Sequence, residues 1–243
     1  AELAIAVRRR EFVVHYQPIV ELASGACIGA EALVRRRHPD GSLESPDRFI
    51  PLAEESGQIS AITDMVVELV ARDLGEALRA DPDLHVAVNF AADDMKGGRL
   101  LQMLDRTLAR EGIPARQVWL EATERGFMDL DSASATISAA RRRGHAVAID
   151  DFGTGYSSLQ YLQTLPLDAL KIDKAFIETI GTASAKSAVT LHIIEMAKSL
   201  GLWTVAEGVE TQAQADFLLR HGVDCAQGWL FSKPLPAGQF LAY

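Results

Sequence analysis

Eight short apolar runs alternate with longer amphipathic stretches through most of this chain. The strand-like runs are Phe12–Val20, Ala26–Val34, Leu84–Asn89, Val118–Ala122, Ala146–Asp150, Ala169–Ile172, Trp203–Ala206 and Asp224–Gly228. Between several of them, apolar residues recur near the helical period of about 3.6 residues, and the clearest predicted helices lie at 62–70, 131–143, 189–200 and 211–221. Eight strands with helices between most of them predict an α/β fold, a TIM-like (β/α)8 barrel.

The first two runs depart from the alternation of strand and helix. Only a short loop around Ser24 and Gly25 separates them, so we expect them to pair antiparallel as a hairpin. Residues 1–11 are rich in alanine and arginine at helical spacing, which predicts a linker helix from a longer parent protein. No linker-like segment or internal repeat follows, and we therefore expect a single domain over residues 12–243.

The composition excludes some classes of function. The chain has 33 Asp and Glu against 24 Lys and Arg, a net charge of -9, which disfavours binding to a nucleic-acid polymer. A protein with this negative net charge can still bind a small anionic substrate, because bound metal ions can supply positive charge locally. The two cysteines lack metal-ligand spacing, and no apolar run approaches the ~20 residues that span a bilayer. We expect a cytoplasmic domain without membrane contact, although a region outside this chain could attach the parent protein to a membrane.

Polar side chains stand at the ends of seven of the apolar runs. They are Glu31, Asn89, Glu121, the pair Asp150-Asp151, Lys171, Glu207 and Gln227. In a barrel of this kind the carboxyl ends of the strands converge on one face, so we expect these side chains to lie together. A single glutamate at a strand end is usually solvated or caps a helix, but packing does not readily explain so many acidic and amide groups at one rim.

The expected cluster has the chemistry of a divalent metal site. The adjacent carboxylates of Asp150 and Asp151 repel one another, and both stay ionised at neutral pH only beside a cation. An all-oxygen ligand set suits Mg²⁺ or Mn²⁺, and two such ions bridged by a carboxylate suit attack on a phosphorus ester. Lys171 would orient the attacking water or stabilise developing charge. The alternative for Lys171 is a buried ion pair with Asp173 or Asp150.

Eight motifs in fixed order carry a resemblance to a known family. They are Tyr16-Gln17-Pro18, Glu31-Ala32-Leu33 followed by Val34 and Arg35, Asn89, EATE at 121–124, DDFGTGYSSL at 150–159, Lys171-Ile172-Asp173, Glu207-Gly208-Val209-Glu210, and Gln227-Gly228-Trp229 before LFSKP at 230–234. Over residues 11–243 the chain resembles the EAL-domain cyclic-di-GMP phosphodiesterases. It departs from the family pattern at Ala91, Ala122 and Trp229, and none of these departures removes a carboxylate or the lysine.

The resemblance implies a barrel with one antiparallel strand and an enzyme that hydrolyses cyclic di-GMP to linear 5′-pGpG with two Mg²⁺ or Mn²⁺ ions. Ca²⁺ is expected to inhibit, because its looser coordination misplaces the attacking water. The resemblance also implies a homodimer formed through the loop at the barrel face and adjacent helices. A receptor that binds the nucleotide without turnover is the main alternative, and a barrel phosphohydrolase with another substrate is a weaker one. The complete set of carboxylates with Lys171 favours turnover.

The same resemblance assigns roles to individual residues. The implied metal ligands are Glu31, Asn89, Glu121, Asp150, Asp151 and Glu207, with Asp150 bridging the two ions. The implied catalytic residues are Lys171, Glu31, Glu207 and Gln227, of which Lys171 and Gln227 lie nearest the attacking water. The implied substrate contacts are Arg35 to a phosphate, Gln17 to a guanine or ribose, and Asp173 and Glu210. Glu124 would anchor the loop that begins at Asp151.

Overall fold

The computed structural model describes residues 2–123, 129–153, 162–181 and 185–243. The strands are β1 Phe12–Glu21, β2 Cys27–Arg37, β3 Leu43–Glu44, β4 His85–Asn89, β5 Val118–Thr123, β6 Val147–Phe152, β7 Ala169–Ile172, β8 Trp203–Ala206, β9 Cys225–Ala226 and β10 Leu235–Pro236. The described helices are α1 Glu2–Arg9, α2 Pro46–Glu55, α3 Ile59–Ala80, α4 Arg99–Glu111, α5 Leu130–Arg143, α6 Lys174–Ile177, α7 Ala185–Ser199, α8 Gln212–Arg220 and α9 Ala237–Phe240.

Eight of these strands close a barrel in the order β1, β2, β4, β5, β6, β7, β8 and β9, and β9 returns to β1. Strand β1 pairs antiparallel with both of its neighbours, whereas the pairs from β2 round to β9 are parallel. The short strands β3 and β10 extend the sheet beside β2 and β1. The predicted (β/α)8 barrel with one antiparallel strand is therefore confirmed.

The observed strand bounds differ from the predicted ones mainly in β2 and β9. Strand β2 continues to Arg37, three residues beyond the predicted end, because Arg36 and Arg37 pair with β3. Strand β9 contains only Cys225 and Ala226. The carboxylate of Asp224, which was predicted to begin this strand, instead accepts hydrogen bonds from the backbone N–H and hydroxyl of Thr204.

The core lies in two places, between the barrel and its helices and inside the barrel. Helix α3 packs its apolar face on the outside of the barrel, where Ile62, Met65, Val66, Leu69 and Val70 are all buried, as their spacing predicted. Ile19, Ala87, Val205 and Cys225 form a separate buried cluster. None of the described helices combines the length and the apolar composition that a membrane span requires.

The amino-terminal helix α1 contacts the rest of the fold. Ala6 is fully buried in the main core, and Leu3 and Val7 pack against that core. The carboxylate of Glu2 accepts a hydrogen bond of 2.9 Å from the guanidinium of Arg36 in β2. A helix thus forms where the alanine- and arginine-rich pattern predicted one. The boundary between this linker helix and the domain, placed after residue 11, stays a prediction.

His85, the first residue of β4, is buried without a charged partner. Its ring stacks on Trp119 with centroids 4.3 Å apart, and a Cβ atom at Gly29 would lie only 2.6 Å from the ring. Burial lowers the pKa of His85 to about 4, although a hydrogen bond to the backbone of Ile28 favours the charged form. The fold therefore accepts the neutral imidazole and opposes protonation.

This burial predicts an acid-sensitive contribution to stability. The pKa of His85 in the folded protein lies below the ordinary value of 6.5. The contribution of the neutral imidazole to stability is therefore complete above pH 6.5 and is lost as the pH falls toward 4. We expect wild type to lose about 2 kcal/mol more than His85→Phe in its free energy of unfolding between pH 7.5 and pH 4.5. Urea unfolding of both proteins at both pH values measures this difference. An equal loss in the two proteins would contradict the assignment.

Candidate active site

The predicted polar side chains gather at the carboxyl-terminal end of the barrel. Asn89 and Glu121 are register partners on β4 and β5, and Glu31 of β2 lies opposite Ala87 of β4. Glu207 and Gln227 each follow a strand by one residue. Their backbone N–H groups continue the sheet pairing, since Glu207 donates to the carbonyl of Ile172 and Gln227 to that of Ala206. Sheet pairing thus fixes the backbone from which these side chains project.

Lys171 of β7 lies at the centre of this group and is fully buried. Its Nζ atom is 2.8 Å from carboxylate oxygens of both Glu121 and Glu207, 3.2 Å from Glu31 and 3.3 Å from Asp150. Burial alone would lower the pKa of Lys171, but attraction by the four carboxylates outweighs it and raises the pKa well above its ordinary value. The lysine is therefore an ammonium that donates hydrogen bonds.

The single ion pair with Asp173 or Asp150, considered as an alternative for Lys171, does not describe this arrangement. Asp150 is only one of four carboxylates around the ammonium group. Asp173 instead caps the amino terminus of α6, where its side chain accepts a hydrogen bond of 2.9 Å from the backbone N–H of Ala175. Short polar side chains are favoured at this capping position.

Two amide side chains orient the carboxylate of Glu31. Asn89 Nδ2 donates to Glu31 Oε1 over 2.7 Å, and Gln227 Nε2 donates to Glu31 Oε2 over 2.6 Å. Gln227 Nε2 also lies 2.9 Å from Glu207 Oε1. Burial would raise the pKa of Glu31, but Lys171 and these amide donors outweigh burial and lower it. Glu31 is thus held as a carboxylate in a fixed orientation.

A bulge in β6 turns two consecutive aspartates toward one site. Side chains alternate between the two faces of a regular strand, which would separate Asp150 from Asp151. Here the register with β7 shifts between Ile149 and Phe152, and Asp151 has φ +53°, in the left-handed region. The backbone N–H of Asp151 donates to Asp150 Oδ1 over 2.9 Å. Bulges of this kind redirect side chains beside functional sites.

The negative charge of the cluster exceeds what one lysine can balance. Burial raises the pKa of Glu121 to about 8, and repulsion by Glu31 and Asp150 adds to this against the attraction of Lys171. Burial likewise raises the pKa of Asp151 to about 6, with repulsion from Asp150 and Asp173 contributing. The carboxylates would therefore lose their protons more readily if further positive charge were bound among them.

The donor set fits a pair of divalent cations. Carboxylate oxygens of Glu31, Glu121 and Asp150 lie within 4.8 Å of one another, and so do those of Asp150, Asp151 and Glu207. Asp150 belongs to both groups, as a bridging ligand must. Gln227 Oε1 is also buried there and has no hydrogen-bond partner among the described residues. Oxygen-only sites of this charge suit Mg²⁺ or Mn²⁺ better than zinc or copper.

The residues assigned to substrate binding lie around this cluster, and none of them forms part of it. The guanidinium of Arg35 is half-buried, and its Nη1 atom donates to the Val34 carbonyl over 2.8 Å. Gln17 lies opposite Glu31 in the β1–β2 pairing, but its amide donates to the carbonyl of Ser232 over 3.3 Å. The Glu210 carboxylate is 2.7 Å from the ammonium of Lys174.

Two features predicted from the sequence fall outside the part of the chain that the structure describes. Glu124, assigned to loop anchoring, is one of them. The loop sequence after Gly153, over residues 154–159, is the other. The described cluster therefore rests on the strands and on the two residues that follow β8 and β9.

The site requires glycine at position 228, and the sequence motifs alone did not indicate this requirement. A Cβ atom at this position would collide with the backbone nitrogen and oxygen of Val209. Close approach of two backbones needs glycine, since neither backbone can yield as a flexible side chain would. This contact joins the segment after Gln227 to the segment after Glu207, and so holds these two side chains of the cluster in one place.

Curated relatives match nearly the whole of this chain. Probable cyclic di-GMP phosphodiesterase PdeB of Escherichia coli K12 is 45% identical over 98% of this chain and 45% of its own length. Bifunctional diguanylate cyclase/cyclic di-GMP phosphodiesterase MucR of Pseudomonas aeruginosa is 40% identical over 99% of this chain and 36% of its own length. The chain thus spans less than half the length of these two curated relatives.

Solved structures and a family model match almost the whole chain. The structure of the PaMucR phosphodiesterase in complex with c-di-GMP superposes with a TM-score of 0.92 at 39% identity, covering 98% of each chain. The form of the EAL enzyme Bd1971 that is bound to cAMP and cyclic di-GMP gives a TM-score of 0.94 at 33% identity, covering 99% of this chain and 66% of that one. The model of the EAL domain matches residues 1–234. This protein belongs to the EAL domain family.

Proposed function

We propose that this chain is a phosphodiesterase that hydrolyses cyclic di-GMP to linear 5′-pGpG with two divalent cations, Mg²⁺ or Mn²⁺. The observation that carries the proposal is the buried carboxylate cluster, in which Asp150 belongs to two groups of metal-ligand spacing around Lys171. The names of the relatives and the c-di-GMP complex of the PaMucR phosphodiesterase support the choice of substrate.

Each group of side chains would hold one cation. Glu31, Asn89, Glu121 and Asp150 would ligate the first, and Asp150, Asp151 and Glu207 the second. When bound, divalent cations neutralise phosphate charge and lower the pKa of water, which makes water a usable nucleophile near neutral pH. The five carboxylates and one ammonium leave a charge of about four negative units, which two such cations balance.

Lys171 and Gln227 have complementary parts in this proposal. Lys171 is an ammonium held by four carboxylates, so it orients the nucleophilic water and stabilises charge that develops on the phosphate. Gln227 has its amide nitrogen committed to Glu31 and Glu207, which leaves its buried Oε1 to accept a hydrogen bond from water or substrate. Glu31 and Glu207 fix that orientation by accepting the amide N–H bonds.

The substrate would be bound by residues around the cluster. Arg35 would bind a phosphate with its guanidinium, Gln17 a guanine or ribose, and Asp173 and Glu210 other parts of the nucleotide. Glu210 would exchange its exposed ion pair with Lys174 for the substrate at little cost, because exposed pairs are weak. Glu124 would anchor the loop that follows Asp151.

Arg35→Ala is expected to raise the KM for cyclic di-GMP at least about tenfold and to change kcat less. The guanidinium lies outside the carboxylate cluster, and charge-assisted hydrogen bonds to phosphate contribute about 1.5–3 kcal/mol each. Steady-state kinetics at saturating Mg²⁺ separate the two parameters. Arg142→Ala, on the exposed end of α5, is the matched control. An unchanged KM in Arg35→Ala would exclude this arginine from substrate binding.

The proposal is tested by incubating the purified chain with cyclic di-GMP and separating the products by chromatography. Linear pGpG formed with Mg²⁺ or Mn²⁺, and blocked by EDTA, is the expected result. Ca²⁺ is expected to bind and to support little product. Binding of the nucleotide without any product under all three metals would favour the alternative, a receptor without turnover. A homodimer and a cytoplasmic location complete the proposal, and light scattering tests the first.

A further inference from the structure

One large aromatic side chain is exposed at the carboxyl-terminal rim of the barrel. Trp229 is 60% exposed, the largest exposed fraction among the large apolar side chains of the described residues. Only Gly228 separates it from Gln227, so at most about 7 Å of chain lies between the Cα atoms of Gln227 and Trp229. Single exposed apolar residues are common on protein surfaces, so the surroundings of this ring decide what it can do.

Hydrogen bonds fix the backbone on both sides of Trp229. The N–H of Val209 donates to the Gln227 carbonyl over 3.1 Å, and the N–H of Leu230 donates to the Val209 carbonyl over 3.0 Å. Further along the same segment, the Ser232 carbonyl accepts the side-chain hydrogen bond of Gln17. The indole ring is therefore presented from a fixed backbone, and a ligand that stacks on it orders little additional chain.

Two ammonium groups lie over the indole ring. The Nζ atom of Lys233 is 4.5 Å from the ring centroid, and that of Lys174 is 5.5 Å from it. The side chain of Lys174 crosses Gly208 so closely that a Cβ atom there would collide with it, and its Nζ atom is 2.7 Å from the Glu210 carboxylate. The ring thus lies beside the segment that follows β8 and carries Glu207 and Glu210.

These surroundings suit the base of an anionic nucleotide. A phosphate at the carboxylate cluster would have its nucleoside at the surrounding rim, and the two ammonium groups attract an anionic ligand to this part of the rim. Cation–π contacts at exposed sites are weaker than the stack of a base on an aromatic ring. Lys233 is exposed, so its side chain can yield the ring face to a base.

We infer that Trp229 is a substrate-binding residue whose indole ring stacks on a guanine base of cyclic di-GMP. The inference rests on the proposed function for the identity of the nucleotide, and it adds a contact to the base that the carboxylate cluster does not supply. Because the ring lies outside that cluster, the stack stabilises the bound substrate and the transition state alike. Its loss should therefore raise KM more than it lowers kcat.

Steady-state kinetics of pGpG formation at saturating Mg²⁺ test this contact. Trp229→Ala should raise the KM for cyclic di-GMP at least about tenfold and change kcat less. Trp229→Phe keeps an aromatic face and should raise KM less than about threefold. Trp203→Phe, at the start of β8 and so at the opposite end of the barrel, is the matched control and should keep the wild-type KM. A wild-type KM in Trp229→Ala, or equal increases in its alanine and phenylalanine variants, would overturn the inference.

Tryptophan fluorescence tests the stack independently of turnover. With Ca²⁺ in place of Mg²⁺, so that little nucleotide is consumed, cyclic di-GMP should quench the emission of wild type and of Trp203→Phe. The quenching should be lost in Trp229→Phe, because the stacked indole is then absent. Quenching that persists undiminished in Trp229→Phe, or that is absent from wild type, would overturn the inference. Quenching that depends on Trp229, without any pGpG under Mg²⁺ or Mn²⁺, would support the stack and exclude only the proposed hydrolysis.

Discussion

Asp150→Asn is expected to lower kcat for cyclic di-GMP hydrolysis by about 10³-fold or more. A carboxylate oxygen of Asp150 lies within 4.8 Å of those of Glu31 and Glu121 in one group, and within 4.8 Å of those of Asp151 and Glu207 in the other. Replacing its carboxylate with a neutral amide therefore weakens both proposed cation sites at once, whereas a change at Asn89 affects only one. The measurement is the rate of pGpG formation at saturating Mg²⁺, compared with wild type and with Asp216→Asn on the exposed surface of α8.

The same variant should fold at least as stably as wild type when cations are removed. Burial and repulsion by Glu31 raise the pKa of Asp150 despite the attraction of Lys171, so its ionised form is unfavourable in the folded protein. Asparagine removes that charge. Thermal unfolding in EDTA should therefore give an equal or higher Tm, and added Mg²⁺ should stabilise Asp150→Asn less than wild type. Near-normal turnover in this variant would contradict the shared-ligand assignment.

Lys171→Met is expected to have the largest effect on stability. The substitution removes the ammonium from among four buried carboxylates and leaves their repulsion uncompensated. Breaking a buried ion pair by deleting one partner typically costs about 3–5 kcal/mol. In EDTA near pH 8 we expect a loss of that size in the free energy of unfolding, and hydrolysis should be abolished because the donor to water is gone.

The pH dependence of this loss identifies its cause. Of the four carboxylates around Lys171, those of Glu121, Asp150 and Glu207 have raised pKa values, with that of Glu121 at about 8. They take up protons as the pH falls, and the repulsion decreases. The cost of Lys171→Met should therefore be smaller near pH 5 than near pH 8. Lys198→Met, which loses only a surface hydrogen bond to the His221 carbonyl, is the matched control. A cost independent of pH would show that lost packing, not charge, destabilises the variant.

The barrel and the membership of the cluster were predictable from sequence because they follow from strand order. Once Asn89 and Glu121 end neighbouring parallel strands, the sheet register brings them side by side. The same geometry predicts that Lys171 and Glu31 lie at the same rim. The antiparallel first hairpin followed from the short loop around Ser24 and Gly25.

Other parts of the site depend on geometry that a sequence pattern does not encode. Strand alternation would place Asp150 and Asp151 on opposite faces, and only the bulge with positive φ at Asp151 brings them together. The fourfold environment of Lys171 depends on side-chain reach across the barrel, and the sequence indicated no ion pair for this lysine beyond the alternative of one with Asp173 or Asp150. The burial of His85 depends on the absence of a side chain at Gly29, on the neighbouring strand.

In the proposed function, the carboxylate cluster holds two divalent cations that share Asp150. Calorimetric titration of the metal-free chain with Mn²⁺ near pH 8 tests it most directly, since it counts ions without requiring turnover. Wild type should bind two Mn²⁺ per chain, Asp150→Asn should lose both high-affinity sites, and Asp216→Asn should retain two. A single ion in wild type, or the same count in Asp150→Asn, would contradict it.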